Sequence, residues 1–118
     1  MRVNRTFTVG AAPINVATRL TTAAERVDHQ PARRVFIQML TGGSGRGYVL
    51  DGIPWGTIAD ASNDDHVTAE LAAATAAAPG GSYSDESQIP GADIDLSKLW
   101  VHGTNAGDKI KVSCELPV

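Results

Sequence analysis

Alternation of apolar and polar positions is the dominant pattern along the chain. It is clearest at the C-terminal end, where Ile110, Val112, Cys114 and Leu116 fall on one face and Lys109, Lys111, Ser113 and Glu115 on the other. A period of two predicts a half-buried strand with its apolar side inward. Residues 33–40 predict a second strand, but Phe36 and Leu40 add apolar positions opposite Val35, Ile37 and Met39. Apolarity on both faces predicts a central strand, covered by an opposing sheet on one side and by a loop or partner on the other. At the N-terminal end Val3, Phe7 and Val9 share the face of an edge-like strand that Arg5 interrupts. After a break at Gly10 to Pro13, residues 14–20 predict the next strand. Tyr48 to Leu50 starts another, continued irregularly by Ile53 to Ile58 because Pro54 brings no N–H to a ladder. Residues 99–102 and 108–116 predict two strands joined antiparallel through the short loop 103–107.

Three stretches break the alternation. The glycine-rich run Thr41 to Gly47 turns the chain, since glycine adopts positive φ at no steric cost, and a hairpin loop is expected there. Its Gly43-Ser-Gly45-Arg-Gly47 spacing has neither the Gly-Lys-Ser/Thr of a phosphate loop nor the Gly-x-Gly-x-x-Gly of a dinucleotide fold. In residues 63–78, Asp65 would cap a helix with Val67, Leu71 and Ala74 or Ala78 as its stripe, ended by Pro79-Gly80-Gly81. A strand through Val67, Ala69 and Leu71 competes, and alanine propensity tips the expectation to a short helix. Residues 79–93, rich in Pro, Gly, Ser and acids, predict a long surface loop.

A length of 118 residues gives one domain, 1–118. Hydrophobic residues make up 42%, but seventeen of them are alanine. The large apolar side chains are therefore sparse, as in small β-sandwiches and in subunits that complete their burial against a partner. A net charge of −3 does not recommend a nucleic-acid binder. No run approaches the ~18 apolar residues of a membrane span, and MRVNRTFTV shows no signal peptide. The single cysteine, Cys114, excludes an internal disulfide framework and fits a reducing cytosol. Charge reverses sign along the chain: residues 1–50 carry seven Arg against Glu25 and Asp28, whereas 51–118 carry three Lys (Lys98, Lys109, Lys111) against eleven acids. Either folding interleaves the halves and erases the asymmetry, or a basic patch docks on an acidic surface such as the next copy.

Candidate chemistry is sparse. Asp60, Asn63, Asp64, Asp65 and His66 lack the central Gly and terminal Glu of a calcium loop, and a solvated capping turn explains them. Asp93 and Asp95 would share one wet strand face, without a third partner for acid/base work. His29, His66 and His102 are too far apart for a zinc pair, and no Gly-x-Ser-x-Gly elbow occurs. Cys114 occupies a core position, not a nucleophile's. Trp55 and Trp100 could stack on a sugar, although Trp100 beside Val101 reads as core or interface. The expectation is no enzyme, no cofactor and no metal.

Arg33-Arg-Val-Phe-Ile-Gln-Met-Leu40, a Gly-rich turn and Gly47-Tyr-Val-Leu50 resemble small virion proteins of tailed bacteriophages. Asp95-Leu-Ser-Lys-Leu-Trp-Val-His-Gly103, then Ala106-Gly107-Asp108 and the strand Lys109 to Leu116, extend the resemblance to roughly half the chain. The shared motifs are structural, so no catalytic residue is carried across. The resemblance implies a closing hairpin within a β-sandwich, often a jelly roll, that decorates or cements capsids or builds spikes and tails. The expected fold is mainly β, an antiparallel, jelly-roll-like β-sandwich with one short helix. The expected function is a capsid decoration or cement subunit, made in the host cytoplasm and carried on the virion. It would bind the major capsid protein or other virion subunits and form a homo-oligomer, a trimer before a monomer. The alternatives are a tail, baseplate or spike component binding a host-surface glycan, a free-standing carbohydrate-binding module with Trp55 or Trp100 exposed, and a small hydrolase, disfavoured for want of a catalytic constellation. Arg33, Arg34 and Arg46 are the candidate docking residues, because guanidinium groups grip carboxylates bidentately. As strand neighbours, Arg33 and Arg34 would point to opposite faces.

Overall fold

The computed structural model describes residues 2–17, 31–51, 66–89 and 93–116. Its strands are β1 (Arg2–Thr8), β2 (Ile14–Asn15), β3 (Pro31–Ala32), β4 (Arg34–Met39), β5 (Gly47–Asp51), β6 (Val67–Leu71), β7 (Ser82–Glu86), β8 (Ile94–Asp95), β9 (Leu99–Gly103) and β10 (Lys109–Glu115). A single-turn 3-10 helix, Leu96–Lys98, joins β8 to β9. The chain is mainly β, as its alternation predicts.

The pairings follow one rule. β1 pairs with β10, β2 with β9, β3 with β8, β4 with β7 and β5 with β6, all antiparallel. The chain is thus one long ribbon folded back between β5 and β6. Rolling the ribbon up creates two further antiparallel ladders, β10 with β4 and β9 with β5. The result is a first sheet of order β1-β10-β4-β7, a second of order β2-β9-β5-β6, and the two-residue pair β3-β8.

The two four-stranded sheets share one core. Val3 and Phe7 of β1, Val35, Ile37 and Met39 of β4, and Ile110, Val112 and Cys114 of β10 point inward from the first sheet. They meet Val49, Leu71 and Val101 of the second, with Leu96 and Leu99 closing one side. Val and Ile dominate because their branched side chains fit a pleated, half-buried surface. Arg5 interrupts the inward face of β1 yet stays exposed, because β1 is an edge strand. β4 is an inner strand of its sheet, as expected, but only one of its faces is covered: Phe36 on the other is 36% exposed.

Several expectations need correction. Within 63–78 the described residues hold a strand, β6, and no helix. Helix propensities amount to tenths of a kcal/mol per residue, less than is gained by pairing with β5 and burying Leu71 and Ala74. The arm after β6 folds back on itself: Thr75 N–H donates to Ala78 O (3.0 Å), Gly81 N–H to Ala72 O (2.9 Å) and Gly80 N–H to Met39 O (2.9 Å). A Cβ at Gly80 would collide with the backbone of Ala72 and Ala74, so this approach requires glycine. Residues 79–93 are not one loop, since they contain β7. The predicted strand 14–20 is described only as far as residue 17, and only Ile14–Asn15 is strand.

Neither expected hairpin forms. β4 lies in the first sheet and β5 in the second, so residues 40–46 cross between sheets. β9 and β10 are likewise split, and 104–108 is a second crossover. The two crossovers lie against each other. Gly45 N–H donates to Asp108 Oδ2 (2.8 Å), Arg46 N–H to Thr104 Oγ1 (3.0 Å), and Asn105 Nδ2 to Ser44 Oγ (2.8 Å). A Cβ at Gly45 would sit 2.6 Å from Thr104 Oγ1 and 2.9 Å from Asn105 N. Glycine is needed there for close packing of two corners, not for a hairpin turn. The segment 53–58, the cluster Asp60 to Asp65, His29 and Trp55 lie outside the described residues.

Candidate interaction surface

The outer face of the first sheet carries a ladder of charge. In register across its four strands stand Arg2, Glu115, Arg34 and Glu86. Alternation explains the shared face: Val3, Cys114 and Val35, one position along, point into the core. Arg34 Nη2 lies 3.1 Å from Glu86 Oε1, and Arg34 Nε lies 3.9 Å from Glu115 Oε2. These side chains are about half exposed, so each pair contributes only about 0–1 kcal/mol to stability.

The next row of the same face holds Asn4, Ser113, Phe36 and Ser84. Ser113 Oγ and Asn4 Oδ1 are 2.5 Å apart and hydrogen-bonded. Phe36 is 36% exposed and Ile89, just beyond β7, is 64% exposed. They are the exposed large hydrophobics among the described residues. Phe36 sits in a depression of about 520 Å³ bounded by Arg2, Arg34, Glu86 and Ser113. A second depression, about 580 Å³, continues past Glu86 to Arg33 and Ile89.

The candidate arginines are not gathered into one patch. Arg34 stands in the ladder. Arg33 occupies a bend before β4, its N–H donating to Glu115 O and its carbonyl accepting from Ser87 N–H, both at 2.8 Å. Outside the strand, it does not take the opposite face and instead lines the second depression with Arg34. Arg46 lies at the first crossover, with Nη1 3.0 Å from Glu70 Oε1 of β6. Arg34 and Arg46 thus each pair with an acid from the second half of the chain. Folding interleaves the two halves, because a ribbon that pairs its first strand with its last sets basic segments beside acidic ones.

Trp100 is buried, 6% exposed, on the outer side of the second sheet in a small cluster with Leu50, Tyr48 and Val67. It offers no platform for a sugar. Cys114 is also buried, and burial pushes its thiol up to about 12, which removes it as a nucleophile. Asp51, Asp85, Asp95 and Lys98 border a cleft of about 240 Å³ beside Tyr83. Burial first, then Asp85 and Asp51, raise the Tyr83 phenol above its ordinary range. Asp95 is committed to a cap: its Oδ1 accepts from Ser97 N–H (3.0 Å) and Oγ–H (2.6 Å), starting the 3-10 helix. Among the described residues no three His, Cys, Asp or Glu side chains are arranged to hold a metal ion.

The charge ladder and the exposed Phe36 escaped sequence reasoning. Parity within 33–40 marks Phe36 as outward, but the ladder needs the register of strands far apart in the chain. No family model, curated protein or solved structure matches the chain.

Proposed function

We propose that the chain is a non-enzymatic jelly-roll subunit that acts by docking, as a decoration or cement protein on a phage capsid. The observation that carries this reading is the strand order. Nested pairings closed by the β10-β4 and β9-β5 ladders correspond to a ribbon rolled into two interlocked Greek keys, an architecture recurrent in viral capsid and lectin domains. The step from fold to function is one of analogy, and the resemblance to small virion proteins supports it. In this reading the outer face of the first sheet meets the major capsid protein, with Phe36 and Arg34 as contacts and the virion as the chain's location. The free-standing sugar-binding alternative loses Trp100, which is buried.

The test is binding to empty capsids from the phage that encodes the chain. Filled shells should rupture at a higher temperature than bare ones, because a ligand that binds only the intact state stabilises it by mass action. Phe36→Ser and Arg34→Glu should lower occupancy, and Arg46→Glu, at the first crossover away from that face, should not. Absence of binding, or equal rupture temperatures with the sites filled, removes the cementing role.

A further inference from the structure

We infer that the outer face of the first sheet is self-complementary, and that two copies of the chain associate through it about a two-fold axis running parallel to the strands between β10 and β4. This does not depend on the capsid reading. Because one face cannot meet two partners at once, the pair must part before a copy docks on a capsid, and the test is made on the purified chain with no capsid present.

The ladder Arg2, Glu115, Arg34, Glu86 reads plus, minus, plus, minus across the sheet. Two identical sheets that pack face to face symmetrically need a two-fold axis lying in the plane between them. An axis running across the strands along the ladder would set each charge over its own copy, like against like. An axis along the strands reverses the order instead, so minus, plus, minus, plus lies over the original ladder. Arg34 then faces the partner's Glu115, and Arg2 faces the partner's Glu86. Every column is opposite in sign, which an even, alternating row permits.

The same axis acts on the next row. Phe36 is on β4, half a strand spacing from the axis, so the two rings flank it about 4.8 Å apart laterally. Aromatic pairs attract at centroid separations of about 4.5–7 Å. In the third row Lys111 of β10 faces the partner's Gln38, and no like charges meet. One operation covers the exposed aromatic ring and gives a row of half-exposed charges, already paired along the sheet, a second set of partners across it. The charges lie at one end of the face, where water reaches them, and set register and orientation more than affinity. Four strands about 4.8 Å apart and five to seven residues long give a face of roughly 19 by 20 Å. That is the small end of specific interfaces, so the association is weak and reversible, on the order of micromolar or weaker.

Sedimentation equilibrium of the purified chain from about 1 µM to about 1 mM tests this. The 12.3 kDa monomer should convert to a species of twice that mass. Phe36→Ser and Arg34→Glu should each weaken the dimer about tenfold or more, with an unchanged far-UV spectrum because both side chains are exposed. Glu115→Arg alone should weaken it too. The exchange Arg34→Glu with Glu115→Arg should restore it, since plus, plus, minus, minus is again complementary to its reverse. A monomer throughout, a trimer, a dimer indifferent to Phe36→Ser and Arg34→Glu, or an exchange that fails to restore association would each overturn the proposal.

Discussion

Val112 and Lys111 are neighbours in β10 with opposite surroundings. Val112 is fully buried between the sheets, whereas Lys111 is exposed on the outer face. Val112→Asp is expected to cost several kcal/mol by burying an unpaired carboxylate, and Lys111→Asp about 0.5 kcal/mol. Urea unfolding of the two variants checks this, and equal costs would reverse the assigned face. Cys114, two positions on, makes stability depend on alkali. Its thiol ordinarily titrates at 9.0, and burial moves it to about 12 in the folded chain. Between those values the unfolded chain sheds a proton that the folded chain keeps. The contribution of this thiol to stability is therefore constant below pH 9 and falls by about 1.4 kcal/mol per pH unit between 9 and about 12. Tyr83, raised from 10.0, adds in the same direction at higher pH. Urea midpoints between pH 8 and 11 should show the decline, and Cys114→Ala should make it shallower and delay its onset to the range where Tyr83 titrates.

At the scale of elements, the strands with a core-facing stripe were legible because burial on one side of a sheet imposes a period of two. β7 was not, since in Ser82–Glu86 only Tyr83 is even half-buried and an edge strand needs little more. β6 was misread because alanine propensity is a local preference, and the pairing that overrides it comes from β5. The two glycine-bearing turns were legible as turns, but nothing local states whether a turn returns to its own sheet or crosses to the other. That information resides in the contact between the crossovers, where Asp108 takes the Gly45 N–H. Asp108→Ala should cost about 1–3 kcal/mol by leaving that donor without its charged acceptor. Thr104→Ala should add less than its own single cost, because both act on the same corner. Thermal melting of the two single variants and the double variant measures the coupling.

For the molecule as a whole, the pairing of first strand with last makes every ladder between the two halves of the chain, and this is why Arg34 meets Glu86 and Glu115, and Arg46 meets Glu70. The same arrangement was out of reach of sequence reading, since the partners β1 and β10 are separated by nearly the whole chain. It also decides how the protein answers a mechanical load. Arg2 stands directly opposite Glu115, so these two residues share one end of the β1-β10 ladder. A pull on those two residues peels β1 from β10 one hydrogen bond at a time, beginning at an edge strand with a single neighbour. A pull between Arg2 and Lys109, at opposite ends of the same ladder, loads all its bonds together in shear. Single-molecule stretching should find the first geometry yielding at clearly lower force than the second, and equal forces would show that this ladder is not the element that gives way. A ladder of this kind holds against shear along its strands and gives way to peeling from the edge.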